Sequence, residues 1–301
     1  MRARNQSVLI DMLRPGDRAI EVVVARYQRV APAVTRFARS LSGNDRLRVR
    51  LGSEAAASEE EVVCDPRLFQ AAYHRNAPVT PDEVALASAL HEVVHLVATD
   101  LGVPRSLPDD WPGAPGDQPV DLLTGLGRAG GPAAEALFFG LEDGRQERRG
   151  LATYPGARSV LEDLYRAALP DALAGSGGLG QFALACFLLV GEYANREALE
   201  RRTDPRVGPA LAEATSFLEE ARQTDDPWEV GRLSLEVLEV ARLHGLLTAV
   251  PAAETPAQQK TRDRLDARSI ADGLDRVRLQ SPILSDAESY QATRRAPQAI
   301  A

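Results

Sequence analysis

The sequence predicts a predominantly α-helical α+β protein. Nearly every segment after about residue 80 places apolar residues at helical spacing. Before it, only residues 46–51 and 60–65 read as strands. Hydrophobic residues make up 44% and charged residues 26%, the balance of a globular chain with a substantial core.

The elements follow in order. Residues 17–41 form an amphipathic helix, with Ile20, Val23, Val24, Tyr27, Val30 and Val34 near one face. "RLRVRL" (46–51) alternates polar and apolar, and "EEVVCD" (60–65) is short and β-branched, so the two are expected to pair as a small antiparallel sheet. "TPDE" opens the next helix: Thr80 is the N-cap, Pro81 takes the first helical position and Glu83 closes a capping box. Gly102 and Pro104 stop that helix near Leu101. Residues 103–119, rich in Pro and Gly, have the composition of a lid or binding loop. Helices resume at 120–127, 132–149, 156–168 and 180–202, and "DPWE" caps another that runs to about His244. The expected division is residues 1–203 as a metal-binding domain, 204–287 as a C-terminal helical subdomain and 288–301 as a loose tail.

Charge and composition exclude several function classes. A net charge of −8 and a pI near 5.2 argue against nucleic-acid binding, which calls for a basic field. The most apolar run, "FALACFLLVG" (182–191), is too short to span a bilayer and reads as a core helix. No secretory h-region opens the chain, so the expected location is the cytoplasm, away from membranes. Cys64 and Cys186 offer neither a disulfide framework nor a CxxC site. "GSGGLG" (175–180) lacks the lysine of a phosphate loop and reads as a linker.

One motif carries chemistry. "HEVVH" is His91-Glu92-Val93-Val94-His95. Residues four apart on a helix lie one above the other, so the two imidazoles can share one metal ion. Zinc takes such ligands and, in catalytic sites, keeps one position for water. Glu92 lies about 100° round from His91, beside the metal, where it can take a proton from that water. A third ligand is required, and the longer HExxHxxGxxH pattern is absent. The candidates are carboxylates in "PAAEALFFGLEDGRQERR" (132–149). Glu142 is expected to be the ligand, because it follows Phe138, Phe139 and Leu141, where a buried carboxylate needs a reason. Glu135, two turns earlier, is an alternative. Asp143 is another, or a partner that orients a histidine. A solvated acidic turn paired with Arg145 and Arg148 is the plainer reading. Tyr154, Tyr193 and His244 are candidates for oxyanion stabilisation that spacing does not separate.

"HEVVHLVATD" followed by "FFGLEDGRQERRG" resembles the metallopeptidase-like regions that precede von Willebrand A domains in bacterial cobaltochelatase CobT-like and NorD-like proteins. Their "LEDxRxE"-type segment is matched by Leu141, Glu142, Asp143, Arg145 and Glu147, and the resemblance covers roughly residues 45 to 170. A DxSxS metal-adhesion sequence is missing, which favours a stand-alone metallopeptidase-like protein over a chelatase subunit. The resemblance implies a zincin-like core, Glu142 as the ligand, and partnership with a MoxR-type AAA+ ATPase and a separate von Willebrand A protein. The expected activity is zinc-dependent hydrolysis of a peptide or protein. His91, His95 and Glu142 would hold Zn2+, and Glu92 would act as general base. The alternative is a non-catalytic zinc-binding adaptor for that ATPase.

Overall fold

The computed structural model describes residues 18–51, 56–58, 60–64, 78–99, 101, 103–108, 111, 119–250 and 253–277. Their elements are α1 (Arg18–Ser42), β1 (Arg48–Leu51), β2 (Ala56–Ala57), β3 (Glu61–Cys64), α2 (Pro81–Ala98), α3 (Leu122–Ala129), α4 (Gly131–Ala152), α5 (Pro155–Gly175), α6 (Gly178–Val190), α7 (Arg196–Glu200), α8 (Val207–Gln223), α9 (Pro227–Leu243) and α10 (Pro256–Val277). The architecture is predominantly helical, as the periodicity requires. No helix among the described residues is long and apolar enough to cross a membrane. The chain divides into two compact units. One gathers residues 1–98, 150–169 and 277–301, and the other 99–149 and 170–276. Residues 204–276 therefore share a unit with 99–149 and 170–203, and 288–301 lie outside the described residues.

In the first unit a three-stranded sheet has the order β1-β3-β2. β1 runs parallel to β3, with Val49 opposite Val62 and Leu51 opposite Cys64, whereas β2 is antiparallel to β3. The antiparallel pair expected from residues 46–51 and 60–65 is thus a parallel one. Side-chain alternation has the same period in either direction, so the sequence pattern does not encode strand sense. The antiparallel neighbour is β2, a two-residue strand without a β-branched signal.

α2 packs against β3, β2 and α1. Its inner face is Val84, Ala85, Ala87, Ala89, Leu90, Val93 and Val94, all buried. The capping box forms as expected: Glu83 Oε2 accepts from Thr80 N (2.7 Å), and Glu83 N donates to Thr80 Oγ1 (3.3 Å). Gly150, in the last turns of α4, abuts this helix. A carbon added there would lie 2.6 Å from Val94 Cγ2.

In the second unit α8 lies against α6, α7 and α9, and α9 also meets α3. α6 is buried on nearly all sides, from Leu179 to Val190, as its apolar run predicts. The 180–202 segment splits into α6 and α7. Glu192 adopts a left-handed φ of 58° after Gly191, and Asn195 caps α7 by accepting from Ala198 N (2.9 Å). α5 runs through Pro170 to Gly175, past the expected end near 168. Burial of Ala172 and Leu173 offsets the lost helical hydrogen bond. The described part of the 103–119 segment is pinned. Arg105 and Val120 form a bridge (N to O 3.0 and 2.9 Å), and Trp111 is buried beside Gly125, Gly231 and Trp228.

α6 and α10 cross at backbone contact. A carbon added at Gly273 would lie 2.4 Å from the Gly180 carbonyl oxygen. Gly273→Ala should therefore cost about 1–3 kcal/mol in urea denaturation. Gly156, in the first turn of α5, has open space around it, so Gly156→Ala should raise stability by about 0.5–1 kcal/mol. A neutral Gly273→Ala would show that the crossing has slack.

Candidate metal centre

α2 delivers the two histidines by its periodicity. Leu90, Val93 and Val94 turn into the core, which leaves His91, Glu92 and His95 half-buried. The two imidazole rings lie 4.9 Å apart between centroids, nearly edge-on at 74°. The i, i+4 stacking expected from the motif is present.

The third group comes from α4. One ligand atom of each of His91, His95 and Asp143 lies within 4.8 Å of the others. Asp143 is 2% exposed. Two imidazole nitrogens and one carboxylate oxygen are donors of the kind that hold a metal ion.

The group of His91, His95 and Asp143 does not include Glu142, whose oxygens are taken by other partners. Arg145 donates to both of them, Nη2 to Oε1 at 2.7 Å and Nε to Oε2 at 2.8 Å. Thr99 Oγ1 (2.7 Å) and Gln146 Nε2 (3.0 Å) also donate to Oε1, and Gln146 Nε2 donates to Thr99 Oγ1 (2.8 Å). Arg145 is itself buried and reaches the Thr224 carbonyl oxygen at 3.0 Å. Diverting Glu142 to a metal would leave a guanidinium in the core without its counter-charge. The acidic turn is paired with Arg145, as the plainer reading has it, but in the core and not in solvent. Thr99 and Gln146 are partners of Glu142 that sequence reasoning missed. The spacing of Glu142 and Arg145 at i, i+3 was the available signal.

Glu135 is not in the cluster. It is half-buried, with its carboxylate beside Gly127. Burial, and then the charge of Asp121, pushes its carboxyl up to about 7. Of the other candidates, Tyr154 packs edge-on against Phe37, Tyr193 lies beside Phe187, and His244 Nε2 is 2.7 Å from Glu213 Oε2. His74 lies outside the described residues. Cys64 and Cys186 are buried free thiols, and burial pushes that of Cys186 far up.

Two carboxylates on one helix should show opposite pH signatures. Burial alone would raise the Glu142 carboxyl, but the Arg145 hydrogen bonds and charge, with Thr99 and Gln146, outweigh it and hold the group below its ordinary value. Its stabilisation is present above the unfolded-state value of about 4.3 and is lost as pH falls through the lower folded value. Glu142→Gln should cost about 3–5 kcal/mol at neutral pH, because Arg145 stays buried without a counter-charge. Glu135 is raised, so its contribution falls as pH rises from about 4.3 toward 7. Glu135→Gln should raise Tm at pH 8 and leave it unchanged at pH 4, read by thermal melts of both variants. The same pH trend in both would contradict the opposite assignments.

Compared with known proteins, the chain matches no family model, no curated protein and no solved structure at the level taken as significant.

Proposed function

We propose that the protein is a zinc-dependent hydrolase acting on peptide bonds, with His91, His95 and Asp143 as metal ligands and Glu92 as general base. The observation that carries this reading is the convergence of two imidazoles and one buried carboxylate within 4.8 Å, with Glu92 on the same turn as His91. A zinc ion held there would supply a Lewis acid and a water of lowered pKa.

The residues of the chain divide the remaining work. Glu92 cannot share the ligand position of its neighbour, because it lies about 100° round the helix. In this reading it accepts the proton of an attacking water and hands it to the departing amine, which cannot leave as an anion. Half-burial of His91, Glu92 and His95 keeps them within reach of a substrate while the apolar side of α2 anchors them. Burial of Asp143 holds its carboxylate away from bulk water, where binding to a cation offsets the cost of desolvation.

Metal analysis and peptide-library hydrolysis test the proposal. His91→Ala, His95→Ala and Asp143→Ala should each lose stoichiometric zinc. Full zinc occupancy at unchanged affinity in Asp143→Ala would place the carboxylate ligand elsewhere. Glu92→Gln should retain zinc and lose roughly 10²–10⁴-fold in hydrolysis, the usual share of general-base catalysis. An undiminished rate in that variant would remove Glu92 from the role.

A further inference from the structure

We propose that Glu135 is a proton-operated fastener for the start of α3. With its carboxyl neutral, the first turn of α3 is closed; with it ionised, that turn opens together with its bridge to Arg105. Every residue involved lies in the unit made of residues 99–149 and 170–276, and neither acid of the fastener belongs to the metal group.

The hairpin of α3 and α4 places the acid. Only Gly130 separates the two helices, and Gly131 turns the chain with a φ of 67°. Glu135, in the second turn of α4, reaches back to α3. Its Oε1 lies 2.5 Å from where a side-chain carbon on Gly127 would stand, so the glycine is what admits the carboxyl. The like charge it meets is Asp121, the N-cap of α3. Asp121 Oδ1 accepts from Thr124 N and Oδ2 from Thr124 Oγ1, both at 2.9 Å. α3 itself carries Arg128, which is exposed in its last turn. On α9, which also meets α3, Arg232 is paired with Glu229 (2.6 Å) and Glu236 (3.8 Å). Burial and then the Asp121 charge therefore govern Glu135, and both push its carboxyl up, to about 7.

The start of α3 is where that repulsion is felt, because the cap holds Asp121 there. Val120 N donates to Arg105 O (2.9 Å) and Arg105 N to Val120 O (3.0 Å), while Gly125 N closes the first turn on Asp121 O (3.0 Å). Arg105 is otherwise tied to Asp226 by an ion pair in which both partners are about half exposed, a contact of small net value. The closed turn binds the proton of Glu135 more tightly than the open one. Closing is thus strongest below about 4.3, weakens by at most about tenfold per pH unit up to 7, and changes no further above it.

Amide hydrogen exchange of the whole protein between pH 5 and pH 8 tests this. The amides of Arg105, Val120 and Gly125 are compared with Ala214 and Leu218 of α8, which report global unfolding, after correction for the intrinsic chemical rate. In wild type the opening constant of the first three should exceed that of α8 and rise on the order of 100-fold across this range. Glu135→Gln should abolish the rise. Asp121→Asn keeps a capping oxygen without the charge and should reduce it. A pH-independent opening in wild type, or the wild-type rise in either variant, overturns the proposal. So does exchange of all three amides at the α8 rate, because only global unfolding would then be linked to the proton.

Discussion

Glu142 and Arg145 are withdrawn from water in the middle of α4, and the segments around them meet on their hydrogen bonds. Thr99, just beyond α2, donates to the carboxylate. Thr224, just ahead of α9, accepts from Arg145, and also from Arg149 at 3.1 Å. Arg149 is further paired with Asp225. Desolvating two charges costs several kcal/mol, so such a pair persists only where its geometry is satisfied on both sides. Here the fork is bidentate, and Oε1 accepts further bonds from Thr99 and Gln146. The pair ties the middle of α4 to Thr99 and to the Thr224 carbonyl.

The consequence is a division of labour between adjacent acids. Glu142 is committed to the pair, and the next residue emerges about 100° away. Of the two acids, Asp143 is the one in the group with His91 and His95 that could hold a metal ion. The buried turn from Glu142 to Glu147 holds five polar or charged residues, Glu142, Asp143, Arg145, Gln146 and Glu147. Burial of this kind is tolerated where each group is answered by another or by a cation.

The helix that carries the histidines was readable from residues alone, down to the Thr80–Glu83 capping box, because caps and periodicity are local. The partner set of Glu142 was not. It turns on contacts distant in sequence, Thr99 and Thr224 among them. Burial of Glu142 was correctly anticipated from Phe138, Phe139 and Leu141, but burial says nothing about the partner. Strand sense failed for a similar reason, since alternation in "RLRVRL" is silent on direction. The end of α5 was misplaced because proline is a local stop signal that packing beyond Pro170 overrides. Gly191 and the left-handed Glu192, which divide α6 from α7, carry only a weak local signal.

The chain has two tryptophans, Trp111 and Trp228, and the structure sets them 5.8 Å apart. Both lie in the unit made of residues 99–149 and 170–276. Indole emission from this protein is thus a single-address signal, coupled between two rings and coloured by the Arg105 guanidinium 5.7 Å above one of them. It follows the melting of that unit and is blind to the sheet and to the helix that bears the histidines. Far-ultraviolet dichroism sees both. Divergence between the two optical curves would therefore register whether the units lose their structure together.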